Sequence, residues 1–145
     1  MTRRTITLLA LAACAAAAAL AAGLSFAQTP TSISLKVKGP YVRRHAHFCH
    51  KSKGLRVFKA GTRLEYRGFV VPAPAKHFPV TVQVERCSHG RFVRAARYHF
   101  QGKRATGKYK AYFTAPRPRG RVSYFWARTI VGGVTSRKRY FGVHR

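Results

Sequence analysis

The chain has 145 residues, of which 29 are Lys or Arg and two are Asp or Glu, giving a formal net charge of +27. Hydrophobic residues still make up 46% of the sequence, which excludes the class of disordered chains whose charge prevents a core from forming. With so few carboxylates, catalysis by paired acidic residues is also a poor fit.

The first 30 residues have the pattern of a secretory signal. Arg3 and Arg4 precede an apolar, alanine-rich run that ends near Leu24, and residues 25–27 supply the small residues that signal peptidase requires. We expect cleavage after Ala27, which would place the mature protein outside the cytoplasm, either secreted or at the cell surface. A lipoprotein anchored at Cys14 is the alternative, although the sequence stays apolar for ten residues beyond it.

The remaining 118 residues are expected to form one domain. Residues 28–59 would supply N-terminal strands and a basic segment rich in His and Cys, and residues 60–145 would form the core. Without Arg3 and Arg4, 27 basic residues face two acidic ones, a net charge of +25. Such charge would make copies of the chain repel one another, so we expect a monomer.

Alternation of apolar and polar residues predicts β-strands along this whole region. Residues 121–131 are apolar almost throughout, which predicts a central strand buried on both faces. Gly132 and Gly133 then predict a two-residue hairpin turn. The predicted strands are residues 31–37, 62–71, 79–86, 90–100, 107–115, 121–131 and 134–143.

Turn-forming residues recur between these strands at nearly regular intervals. Seven or eight short antiparallel strands with this spacing predict an all-β sandwich. The predicted turns are residues 39–40, 52–54, 61, 72–79, 88–90, 102–107 and 116–120.

Three stretches carry a resemblance to a known class of domain. They are AGTRLEYRGFVVP, FPVTVQVERCSHGRFV and TGKYKAYFTAPRPRGRVSYFWAR, and they resemble the second to sixth strands of small exported immunoglobulin-like or fibronectin-III-like domains of bacteria. The resemblance implies a single Ig-like sandwich with Tyr124 as a tyrosine corner. It implies no particular ligand, since this fold hosts many functions. The chain departs from the antibody pattern in having no cysteine near Tyr124.

Cys49 and Cys87 would be the only cysteines left after signal cleavage. In an exported domain such a pair most often forms a disulfide. Closing a ring of this length would stabilise the fold by about 3–4 kcal/mol. A thioredoxin-type redox site is a poor fit because the chain has no C-x-x-C motif.

The segment YVRRHAHFCHKSKG suggests a metal site as an alternative function. In an extended strand, His45, His47 and Cys49 would share one face, and the disulfide would bring His89 towards His50. Imidazoles in such a cluster bind copper or zinc. Against this, no acidic residue lies nearby to orient the imidazoles, and the flanking Arg and Lys residues repel a dication.

An enzymatic function is not expected, and no cofactor or small-molecule substrate is inferred. Glu65 and Glu85 are expected to face outward from their strands, and they could at most lie next to each other across the sheet. The neighbouring Arg63, Arg67 and Arg86 would keep both carboxylates ionised. No nucleophile-elbow motif is present.

We therefore expect a non-catalytic domain at the cell envelope that binds anionic polymers through salt-sensitive contacts. The partner would be a cell-wall polymer, an anionic lipid or a nucleic acid, and the histidines would strengthen binding when protonated in mild acid. The alternative is a surface charge with no specific ligand. The residues expected to bind the polyanion are Arg43, Arg44, Lys51, Lys53, Arg91, Arg94, Arg97, Arg137, Lys138 and Arg139.

Overall fold

The computed structural model describes residues 29–145. The expected signal peptide and Cys14 lie outside the described residues. Within residues 29–145 the secondary structure consists of strands and turns. These strands are β1 (Ser32–Ile33), β2 (Lys36–Lys38), β3 (Tyr41–Phe48), β4 (Lys51–Lys59), β5 (Arg63–Val71), β6 (Phe78–Ser88), β7 (Arg91–Gly102), β8 (Lys108–Thr114), β9 (Val122–Val131), β10 (Val134–Thr135) and β11 (Arg139–His144).

The strands form two sheets. In the small sheet, β1 and β2 pair with one edge of β5 and β8 pairs with the other, all antiparallel. The large sheet has the order β3-β4-β11-β9-β6-β7, with β10 pairing to β9, and only its β4–β11 pair is parallel. The expected all-β sandwich is confirmed. No helix in the part of the chain that the structure describes has the length and apolar character to cross a membrane.

The main hydrophobic core lies between the two sheets. Tyr66 and Leu64 of the small sheet pack into it from one side, and Phe125, Phe141 and Phe58 of the large sheet from the other, each with no more than 2% of its surface exposed. Each such side chain contributes about 1.5–3 kcal/mol through burial. β9 is buried on its core face, and its other face is half-buried except at buried Trp126, so the predicted burial on both faces is confirmed in part.

Residues 31–37, predicted as one strand, are divided into β1 and β2 in the same register along β5. The interruption is at Ser34, whose Oγ accepts the hydrogen bond of Phe69 N at 3.0 Å, while its carbonyl accepts a bond from the Tyr109 hydroxyl. Gly68 makes room for this arrangement, since a Cβ there would overlap both Ser34 O and the Tyr109 ring.

A serine also divides residues 134–143 into β10 and β11. Ser136 Oγ accepts a hydrogen bond from Thr129 N at 2.9 Å, and the pairing to β9 shifts by one residue across this point. The predicted turn before β10 is confirmed, because Gly132 and Gly133 both have positive φ, at 55° and 79°.

The histidine-rich segment forms a hairpin, and the expectation that Cys49 continues the extended strand of His45 and His47 is wrong. The chain reverses at Cys49 and His50, which have φ values of 41° and 59°, and β4 then runs back along β3. The turn predicted at residues 52–54 is also wrong, since these residues belong to β4. This left-handed conformation is uncommon for residues other than Gly, and Cys49 adopts it at the position where it forms a disulfide.

That disulfide joins Cys49 to Cys87, with Cα atoms 5.8 Å apart. It links the tip of the β3–β4 hairpin to the end of β6, next to the β6–β7 turn.

A second, smaller core forms beneath the hairpin tip. Phe48 stacks on Tyr124 with ring centroids 4.8 Å apart and also packs near Phe92 and Tyr140. Tyr124, expected as a tyrosine corner, lies in this cluster. The disulfide and the aromatic rings together hold the hairpin in place.

Candidate functional site

A cleft of about 730 Å³ opens between β2 and the β3–β4 hairpin and is closed at one side by the start of β11. Its lining combines a few apolar side chains with a high density of cations. The cationic lining residues are Lys36, Lys38, Arg43, Arg44, Arg56 and Arg139, and His45 lies beside them.

Strand alternation places these cations. Arg43 lies directly opposite Arg56 in the β3–β4 pair, and His45 lies opposite Gly54, so all four positions face the same side of the hairpin. Gly54 contributes no side chain, and a Cβ built there meets no atom within 4 Å. A glycine inside a strand often marks a place where another group approaches the backbone closely, and here it leaves the cleft open.

Two of the arginines are held in place by backbone carbonyls of the neighbouring sheet. Arg139 Nε donates to Leu35 O at 2.8 Å, and Arg56 Nη1 donates to Val37 O at 3.4 Å. The Arg56 guanidinium also lies 4.6 Å from the centroid of the Tyr41 ring. Each guanidinium has five N–H donors in a fixed fork, so both keep donors for a ligand.

No acidic residue lines this cleft. Glu65 and Glu85 are engaged elsewhere: Glu65 lies 3.2 Å from Arg67 and accepts a hydrogen bond from Tyr112, and Glu85 accepts one from Gln83 at 2.6 Å. The lining therefore holds cations without a carboxylate among them, and the nearest acidic position is Glu65, which lies opposite Lys38 in the β2–β5 pair.

The pKa of the Tyr41 phenol responds to the positive charge of the arginines beside it. A hydrogen bond from Arg43 and the charges of Arg56 and Arg43 lower its pKa from the usual value of 10.0. Since the cause is the favourable interaction of a negative oxygen with two guanidiniums, an anionic ligand in the same place would be favoured for the same reason.

The structure brings three of the ten predicted polyanion-binding residues into the cleft: Arg43, Arg44 and Arg139. The others are distributed over the surface. Lys51 and Lys53 lie over the Tyr140 ring, Lys138 lies over Trp126, Arg137 lies beside a second, smaller pocket, and Arg91, Arg94 and Arg97 are exposed on β7.

Sequence reasoning missed Lys36, Lys38 and Arg56 as site residues. The signal for the two lysines is the alternation of K-V-K, which places both away from the core around buried Val37. The signal for Arg56 is its pairing with Arg43, which follows only from a hairpin turn at residues 49–50.

The expected four-histidine cluster is not assembled. His45 and His47 are neighbours on β3 with ring centroids 5.6 Å apart, whereas His50 and His89 belong to the two hairpin turns. Across residues 29–145, no group of three or more His, Cys, Asp or Glu side chains is placed to hold a metal ion. The reversal of the chain at Cys49 accounts for this separation.

Glu65 and Glu85 are not neighbours across one sheet. Glu65 belongs to β5 of the small sheet and Glu85 to β6 of the large sheet.

Comparison with known proteins adds no family to this description: no protein-family model matches the chain, and no curated protein matches its sequence.

Proposed function

We propose that the protein is a non-catalytic domain, exported to the cell envelope, that binds anionic polymers in the cleft between β2 and the β3–β4 hairpin. The observation that carries this proposal is the convergence of six Lys and Arg side chains in one cleft without an acidic residue among them. Holding so many like charges together is unfavourable, and a polyanion removes that cost.

The chemistry of the cleft suits phosphate, sulfate or carboxylate groups. Four of its six cations are arginines, whose planar forks bind such groups with two parallel hydrogen bonds. Arg56 and Arg139 are already oriented by backbone carbonyls, so less side-chain entropy is lost when the ligand binds.

A polymer fits better than a small anion because cations continue beyond the cleft. Lys51 and Lys53 lie on the opposite face of the hairpin from Arg43, and they share that face with Arg44, which also lines the cleft. The net charge of the chain attracts anionic polymers over a long range at low salt. The export proposal is supported by the N-terminal signal pattern and by the disulfide.

The test compares two double variants that remove the same charge from different places. The cleft variant is Arg43→Gln with Arg56→Gln, and the matched control is Arg91→Gln with Arg97→Gln on β7. Dissociation constants for heparin and single-stranded DNA are measured at several salt concentrations, after thermal unfolding has shown that both variants are folded.

We expect the cleft variant to bind at least about tenfold more weakly than the control, since hydrogen bonds to charged groups contribute about 1.5–3 kcal/mol each. Equal losses in the two variants would contradict the cleft as the site, and would favour a surface charge without a specific ligand. Binding that is insensitive to salt would contradict the polyanion itself.

A further inference from the structure

A second unusual surface lies on the outer face of the small sheet, away from the sandwich core. Side chains of β5 and β8 that alternate with the buried ones form it, and we refer to them as the small-sheet face. Its members are Arg63, Glu65, Arg67, Phe69, Val71, Lys108, Lys110, Tyr112 and Thr114.

Exposed apolar groups are concentrated on this face. Phe69 is 49% exposed, Val71 44% and Tyr112 42%, and these are three of the five large hydrophobic side chains that are exposed within residues 29–145. Phe69 and Val71 are successive outward positions of β5, so their side chains lie side by side at one end of the face.

Cations surround the apolar groups. Lys108 lies directly opposite Phe69, and Lys110 lies directly opposite Arg67. Lys36 of β2 flanks Arg67 on its other side, at the boundary with the cleft. Like charges placed opposite one another across strands destabilise a sheet.

Compensation of this charge within the face is limited. Glu65 contacts Arg67 at 3.2 Å, whereas Lys108 and Lys110 have no acidic residue opposite them. Arg63 and Lys110 instead lie near the ring of Tyr112, at 4.6 and 5.7 Å from its centroid. The face therefore presents a net positive charge next to exposed apolar side chains.

We propose that the small-sheet face docks on a lipid bilayer that contains anionic lipids. Phe69 and Val71 enter the boundary between headgroups and acyl chains, while Arg67, Lys108 and Lys110 contact the headgroup phosphates. Apolar insertion and electrostatic attraction together give reversible binding where either one alone is too weak.

A bilayer fits this face better than a hydrated polymer does. Neither of the two clefts that line β2 and its neighbours includes Phe69, Val71 or Tyr112. Exposed Phe and Val side chains gain from entering an apolar layer, whereas a hydrated anionic polymer offers them no apolar surface. This proposal can be tested independently of the cleft, because Phe69, Arg67 and Lys110 do not line it.

The experiment places a fluorescent reporter on the face. Phe69→Trp introduces an exposed indole, whereas the natural Trp126 is 2% exposed and gives a constant background. Emission is recorded as the variant is mixed with vesicles of phosphatidylcholine alone, or of phosphatidylcholine with phosphatidylglycerol. Val42→Trp is the matched control, because Val42 is 48% exposed on β3 of the other sheet.

We expect the Phe69→Trp emission to shift to shorter wavelength on anionic vesicles and to stay constant on neutral ones, with no shift for Val42→Trp. Adding Arg67→Gln or Lys110→Gln should weaken vesicle binding about fivefold each.

Three results would overturn the proposal. The first is no binding to anionic vesicles. The second is sedimentation with vesicles while the Phe69→Trp emission stays constant, which would mean that another face binds. The third is an equal shift for Phe69→Trp on neutral vesicles or for Val42→Trp on anionic ones.

Discussion

At the scale of single residues, Tyr41 is the most sensitive reporter of the cleft. Its ring lies 4.6 Å from the Arg56 guanidinium, and Arg43 and Arg56 both act on its hydroxyl. Its pKa is lower in the folded protein than the unfolded value of 10.0 because both guanidiniums favour the phenolate. An anionic ligand that occupies these guanidiniums should therefore return the pKa of Tyr41 towards its usual value.

This shift gives a prediction with a defined pH window. A spectroscopic titration of the wild type minus that of Tyr41→Phe should show a phenol that ionises below pH 10, and heparin should move its midpoint upwards. The linked stability has the matching sign: the ionised phenol favours folding above the unfolded pKa, and this contribution is lost as the pH falls through the folded pKa. A midpoint that heparin leaves unchanged would place the ligand elsewhere.

At the scale of the element, the β3–β4 hairpin depends on its tip for its position. The disulfide links residues 38 apart, and Phe48 packs against Tyr124, Phe92 and Tyr140 beneath it. The double variant Cys49→Ser with Cys87→Ser should lose about 3–4 kcal/mol of unfolding free energy, following the chain-entropy model for such a loop.

Denaturant unfolding with and without reductant checks this value. Reductant should lower the midpoint of the wild type to that of the double variant and should leave the double variant unchanged. A wild-type midpoint that reductant does not move would show that the disulfide does not stabilise the fold.

Much of the strand order follows from sequence patterns. Alternation located β5, β6 and β8, because each has one face in the core and side chains alternate between faces. The apolar run of residues 121–131 indicated the central place of β9, because a central strand is covered on both faces. The pairing of the two cysteines followed from counting them in a chain expected to be exported.

The parts that sequence reasoning missed depend on tertiary contacts. The turn at Cys49 and His50 has no glycine, so its residues gave no signal that the chain reverses there instead of near Gly54. Ser34 and Ser136 interrupt strands because their side chains replace backbone hydrogen bonds of particular partners. The cleft could not be predicted because it needs both this hairpin and the edge formed by β2.

At the scale of the whole molecule, two explanations of polyanion binding differ. A net charge of +27 spread over the chain attracts any polyanion weakly, whereas the cleft concentrates six cations in one place. If total charge acts alone, the position of an added negative charge has little effect. If the cleft is the site, that position determines how much the affinity falls, because exposed charges more than a Debye length apart are largely screened.

The most direct test places one carboxylate in the cleft. Calorimetry would compare the affinity of a heparin oligosaccharide for Gly54→Glu, for Gly54→Gln, which fills the same space without charge, and for Gln101→Glu, which adds the same charge on exposed β7. We predict that Gly54→Glu binds at least about tenfold more weakly than Gly54→Gln, since a close like charge costs several kcal/mol, and that Gln101→Glu binds nearly as well as the wild type. Equal affinities for Gly54→Glu and Gln101→Glu would contradict the cleft as the binding site.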